Sequence, residues 1–194
     1  MSVYTSPLGL VEVEDAPEES KRLLESTRQK IGMIPNMYRG MAHSPGLFAT
    51  YVDGYNRFRA QSGFSPAEQE VVFLTISRYN ECSYCMAAHS TLADTASNVP
   101  VEVTDAIRDD RPIGDPRLGA LSAFTRVLLE TGGHPSVSDA EDFLSAGYTD
   151  HQVLEIVLGI AVKTLSNYSN HLFATPVDAV FEGRAWEPVA RVAG

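Results

Sequence analysis

The chain has 194 residues, 44% of them hydrophobic, with 25 acidic against 15 basic side chains and a formal charge of −10. That content is ample for a buried core in one domain or two tightly packed halves. The charge argues against nucleic acid and anionic membrane surfaces, which need a positive patch. No apolar run approaches the roughly 18 residues of a membrane span, and the acidic stretch from Met1 to Ser20 is unlike an export signal, so a cytoplasmic protein is expected.

Up to Asp15 no helical period appears, and the segment reads either as an extended arm packed on a neighbouring subunit or as a loose terminus. From Pro17 to Ile31, Leu23, Leu24, Thr27 and Ile31 share one helix face, and Gly32 stops it. Pro35-Asn36 turns into a short helix carrying Met37, Tyr38 and Met41. Ser44-Pro45 opens another, with Leu47, Phe48, Tyr51, Val52 and Tyr55 spaced as core or as an apolar wall beside a site. Ser65-Pro66-Ala67-Glu68 is a capping box with proline at the first helical position. The helix it starts, through Val71-Val72-Phe73-Leu74-Thr75-Ile76, is too apolar for a surface, yet it contains Glu70, whose burial is costly unless paired or protonated.

The next helix is predicted to run to about Ala96, with Asn80 as its cap. A short helix follows over Pro100 to Asp110, then one capped by Asp115-Pro116 and ending at Gly132-Gly133. Ser138-Asp139-Ala140-Glu141 reads as a further capping box with Gly147 as its stop. Thr149-Asp150-His151-Gln152 opens a long apolar helix that Pro176 should break, leaving a short helix to Phe181 and a tail with Trp186. No convincing strand is found. The expectation is one all-helical bundle over 1–194, in which a half at about 17–98 rhymes with one at about 115–183. A one-residue slip sets Glu70 against Glu155 and places Asn167 and Asn170 where Cys82 and Cys85 stand.

The chemistry lies in Asn80-Glu81-Cys82-Ser83-Tyr84-Cys85-Met86-Ala87-Ala88-His89, which holds both cysteines. On a helix, Cys82, Cys85 and His89 stand at i, i+3 and i+7 and line one face. Two thiols one turn apart can close a disulfide, and in a reducing compartment such a pair is more often catalytic or metal-binding than structural. The helix start, with its unpaired N–H groups, favours Cys82 as the thiolate, whereas nearness to His89 favours Cys85. His43, His134, His151 and His171 read as surface or cap residues, and Glu81 as pointing to a different quadrant.

The order Ser-Pro-x-Glu-x-Glu, an apolar run, then Asn-x-Cys-x-Tyr-Cys-x-x-x-His resembles the alkylhydroperoxidase D-like (AhpD-like) branch of the carboxymuconolactone decarboxylase superfamily. The resemblance implies an all-helical fold and a peroxidase site made of Glu70, Cys82, Cys85 and His89, with Cys85 attacking and Cys82 resolving. It further implies a homo-oligomer, hydroperoxide substrates, and a dithiol reductant such as a lipoyl-carrier or thioredoxin-like protein. Tyr84 stands where the best-known member has a second histidine, so a two-imidazole relay is not carried over.

The expected activity is therefore a thiol-dependent peroxidase working through a dithiol/disulfide cycle, which needs neither cofactor nor metal. Glu70 with His89 would move the protons in turn. Two alternatives stand beside it: a general dithiol–disulfide oxidoreductase, and a non-catalytic helical module in which two thiolates, an imidazole and a carboxylate hold structural zinc.

Overall fold

The protein is described over residues 3–188 from a computed structural model. Among these residues there are nine α-helices, two 3-10 turns and no strand. The helices are α1 (Glu18–Ile31), α2 (Asn36–Met41), α3 (Pro45–Gln61), α4 (Pro66–Tyr79), α5 (Ser83–Thr95), α6 (Val101–Arg108), α7 (Pro116–Glu130), α8 (Val137–Ser145) and α9 (Asp150–Phe173). None of the helices is long and apolar enough to cross a membrane.

α4 is the central element. Every residue from Glu68 to Ser77 is buried, which is why the sequence there carries no polar face. Its start is the expected capping box: Ser65 Oγ accepts from the Glu68 N–H at 3.3 Å, and the Glu68 carboxylate accepts from the Ser65 N–H at 2.8 Å. Helices α5, α6, α7 and α9 pack around it. One apolar core joins α4 to α7, α8 and the start of α9 through Phe73, Leu121, Phe124 and Phe143. A second gathers Leu24, Met41, Phe48 and Tyr51 around the two cysteines. α3 lies tightly along α9 because Gly54 and Gly159 leave room. A Cβ on Gly54 would come within 2.9 Å of Val162, and one on Gly159 within 3.3 Å of Phe58.

Several expected boundaries shift, each for a visible reason. Asn80 ends α4 and does not cap α5. Glu81 adopts a left-handed φ of 55°, and the Cys82 N–H returns to the Ser77 carbonyl at 3.0 Å, a Schellman-type stop built without glycine. Cys82 is thereby the N-cap of α5 and not part of its first turn. The capping box of α8 is Ser136 with Asp139, two residues before the expected Ser138. The short helix after Pro100 covers only Val101–Arg108, and the last is a 3-10 stretch at Ala179–Arg184 that runs past Phe181. The amino-terminal arm is extended but packs on its own chain. Val11 and Val13 are buried, and the Ser6 N–H donates to the Leu172 carbonyl at 2.7 Å.

Candidate functional site

The sharp turn at Glu81 folds α5 back against α4, and so Glu70, at the start of one helix, meets His89, two turns into the other. All four residues singled out in the sequence are buried: Glu70 and Cys82 at 0% exposure, Cys85 at 2% and His89 at 5%. Both cysteines are free thiols.

His89 Nδ1 lies 2.8 Å from one oxygen of Glu70. The other Glu70 oxygen accepts from Arg59 Nη2 on α3 at 2.5 Å and from Ser97 Oγ at 3.4 Å. Arg59 also donates to the Tyr55 hydroxyl at 2.9 Å and lies 4.9 Å from the Phe73 ring centre. Burial pushes the Glu70 carboxyl up, but His89 and then Arg59 outweigh it and hold the carboxyl below its usual range. Burial, joined by the charge of Lys163, pulls the His89 imidazole below its ordinary value despite Glu70. A neutral ring whose Nδ1–H is held by a carboxylate leaves Nε2 as the nitrogen able to take a proton.

The opposite wall of the site comes from α9, where Lys163, Ser166 and Asn170 stand at i, i+3 and i+7, the spacing that Cys82, Cys85 and His89 have. The two sets face each other in opposite chain directions. Asn170 Nδ2 donates to Cys85 Sγ at 3.3 Å and reaches Cys82 Sγ at 3.8 Å, while Cys85 Sγ is 3.9 Å from Ser166 Oγ. Lys163 is 1% exposed, its Nζ stands 5.5 Å from the Phe73 ring centre, and it acts on Cys85 both by charge and as a side-chain donor. Around the thiols these groups act unequally. The hydrogen bond that Cys82 gives to Cys85, together with burial, pushes the Cys82 thiol well up. For Cys85, burial opposes ionisation, but that same hydrogen bond and the charge of Lys163 outweigh it and bring the thiol well below its ordinary value. The dipole at the helix start, which would favour Cys82, is overridden by these closer groups.

A cavity of about 280 Å³ reaches this site from the side of His89. Tyr38, Tyr51, Val52, Tyr55, Ala88 and Leu92 contribute to its wall, so the aromatic face of α3 is both core and lining. A smaller hollow of about 190 Å³ borders Cys82, with Ser83, Asn170, His171 and Thr175 around it. Tyr84 touches both hollows, but its hydroxyl donates to Asp178 at 2.5 Å and does not stand in for a relay imidazole. Among the described residues no three His, Cys, Asp or Glu side chains are grouped to hold a metal ion. Glu70 is turned to Arg59 and His89, so the tetrahedral zinc alternative finds no support. The remaining histidines keep to peripheral roles: His43 meets the Gly9 carbonyl, His134 the Thr131 carbonyl, His151 the Glu155 carboxylate, and His171 the Tyr168 ring.

Residues 45–126 match the model of the Carboxymuconolactone decarboxylase family. Over that segment the chain is similar to the Carboxymuconolactone decarboxylase family. The fold agrees over nearly the whole chain. It is similar to the alkylhydroperoxidase AhpD core of a peroxidase-related protein from Ralstonia eutropha JMP134, with a TM-score of 0.80 and 22% identity over 96% of this chain and 100% of that one. A peroxidase-related protein from Silicibacter sp. TM1040 superposes with a TM-score of 0.76 and 20% identity, over 95% and 96% of the two chains. A cysteine-to-alanine variant of the debrominase Bmp8, in complex with 2,3,4-tribromopyrrole, superposes with a TM-score of 0.75 and 16% identity, over 94% and 97%. No curated protein matches the sequence.

Arg59, Lys163 and Ser166 are the site neighbours that the sequence did not disclose. Asn170 had a signal, since the register between the halves sets it against Cys85, and in space it is the neighbour of both sulfurs. The available sign for Lys163 and Ser166 was the polar row that they form with Asn170 at i, i+3 and i+7 of α9.

Proposed function

We propose that this AhpD-like chain is a thiol-dependent peroxidase that reduces organic hydroperoxides through Cys85 and Cys82. The observation that carries the reading is the buried set in which Glu70 fixes His89 while Asn170 and the Lys163 charge favour one ionised sulfur, beside an apolar cavity.

The steps follow from these positions. The Cys85 thiolate attacks the outer oxygen of a hydroperoxide, the O–O bond breaks, and a sulfenic acid forms at Cys85 as the alkoxide leaves and takes up a proton. The Cys82 thiol then gives its proton to His89 Nε2 and attacks the sulfenic sulfur, and an S–S bond forms as the S–O bond breaks and His89 passes that proton to the hydroxide, which departs as water. A dithiol reductant returns the pair to thiols by two exchanges and is itself left as a disulfide. Glu70 is better suited to orienting and charging His89 than to taking the proton itself, because Arg59 already holds its carboxylate ionised. The cavity wall suits an apolar or aryl hydroperoxide better than a charged one.

The same reading includes a homo-oligomer. Its support is the stripe of Leu154, Val157, Tyr168 and Leu172, exposed at 67, 49, 56 and 48% along the outer side of α9.

A second reading rests on the aromatic lining of the same cavity and on the dithiol beside it. Two thiols reducing an aryl bromide give the arene, hydrogen bromide and a disulfide, which balances without another cofactor. Incubating the reduced protein with cumene hydroperoxide or a bromopyrrole, and a dithiol, separates the two. Hydroperoxide loss with one disulfide formed per turnover supports the peroxidase. Bromide release without hydroperoxide loss supports the dehalogenase, and neither product sinks both.

A further inference from the structure

Lys163 is a buried cation that takes no part in the proton transfers and bond changes described above. It is 1% exposed and sits on α9, held close to α3 by Gly54 and Gly159. An ammonium in such a place is costly unless an anion stands near it. The acids on the facing helices do not serve. Glu70 on α4 is occupied by Arg59 at 2.5 Å and by His89 at 2.8 Å. Glu155 lies two turns back along α9, roughly 12 Å away by helical rise. The other titratable groups around this point are Tyr55, stacked on the same Phe73 ring, Tyr51, stacked on Tyr55, and Cys82, Cys85 and His89 from α5, all three of which feel the charge of Lys163. Of these, the two tyrosines are pushed up by burial and stay neutral, Cys82 is also pushed up, and His89 is neutral. Cys85 is the one left to carry a negative charge.

We propose that Lys163 is the buried counter-ion of Cys85 and that this pairing sets how readily the disulfide of the oxidised protein is reduced. In the dithiol state the site holds two cations, Arg59 and Lys163, against two anions, the Glu70 carboxylate and the Cys85 thiolate. Closing the disulfide removes the thiolate charge, as two electrons go to the oxidant and Cys82 gives up its proton. Lys163 is then buried without a counter-charge. The oxidised form is raised in free energy and the reduced form lowered, so the disulfide is a ready acceptor for an incoming dithiol. Lys163 is thus a positioning charge that acts through Cys85. The inference rests on the dithiol reading of the site, but not on hydroperoxide being the oxidant.

The test uses Lys163→Met, which keeps length and removes charge, and three readouts that need no substrate turnover. First, the pH at which the reduced protein's Cys85 is alkylated by iodoacetamide should rise by a unit or more, followed in a Cys82→Ser background so that one thiol reports. Second, the exchange equilibrium with dithiothreitol should move toward the protein disulfide by at least tenfold, about 30 mV for a two-electron couple. Third, in the parent Lys163 background at neutral pH, Cys85→Ser should melt well below Cys82→Ser, because only the former strands the ammonium. This comparison stands even if Lys163→Met does not fold. Lys163→Met with an unchanged alkylation profile and an unchanged exchange equilibrium overturns the proposal, even if its melting point falls. Equal melting of Cys85→Ser and Cys82→Ser overturns it as well. A shifted profile in a protein that consumes no hydroperoxide upholds the proposal and removes only the peroxidase reading.

Discussion

Replacing Glu70 by glutamine tests the hub of the site, since one carboxylate there serves Arg59, His89 and Ser97. The substitution keeps the volume and one acceptor but leaves a guanidinium without its anion. Breaking a fully buried pair from one side costs about 3–5 kcal/mol. The Arg59 side chain is 21% exposed, so water recovers part of that and about 2–3 kcal/mol is expected. With an unfolding entropy of about 2.1 cal/mol/K per residue, a 194-residue chain should lose about 5–7 °C in melting temperature. Hydroperoxide turnover with a dithiol should fall roughly 100-fold, because His89 loses the group that fixes its tautomer. The pH dependence gives a further check. The Glu70 carboxyl is held below its usual range in the fold, so its stabilisation is complete at neutral pH and is lost as the pH drops through the carboxylate range. The parent protein should lose more stability there than Glu70→Gln does, as followed by thermal unfolding across pH. A variant that melts within about 1 °C of the parent and turns over at half its rate or better would refute the argument.

Cys85→Ser should abolish hydroperoxide consumption, while Cys82→Ser should accumulate a sulfenic acid that dimedone labels once per chain, read by mass spectrometry. The reverse pattern would exchange the roles of the two sulfurs. Asn170→Leu removes an amide donor 3.3 Å from Cys85 and should raise the pH at which that thiol is alkylated, with little change in fold. The parent protein should also lose stability as the pH falls below about 6.5, because His89 is harder to protonate in the fold than in the unfolded chain. Light scattering at micromolar concentration should give at least twice the mass of one chain.

What could be read in the sequence was whatever is local along it. The capping boxes at Ser65 and Thr149 declare themselves within four residues, and both hold in the structure. Glu70, Cys82, Cys85 and His89 were visible because they lie within twenty residues, on two helices joined by one tight turn. Ser138 misled because Ser136, two residues earlier, has an equally good acceptor in Asp139 at the third helical position. Asn80 misled because a good N-cap residue also makes a good helix end, and only the left-handed Glu81 shows which role it takes. Arg59 and Lys163 are beyond local pattern. One looks like an ordinary lysine on a long helix and the other like an ordinary arginine near a helix end, until the packing of α3 and α9 turns both inward.

The enclosure of the two sulfurs has a consequence for how the protein would age under oxidative load. A sulfenic acid meets two fates, capture by a neighbouring thiol or a second oxidation to sulfinic acid, which is irreversible for most proteins. At 2% exposure Cys85 offers a second oxidant molecule little approach, whereas Cys82 is one helical turn away. Capture within the chain proceeds at an effective concentration far above that of any cellular oxidant. On the peroxidase reading, this enclosure suits a site that is slow to be reached but slow to be ruined, and fitted to many cycles at low oxidant flux more than to a sudden burst.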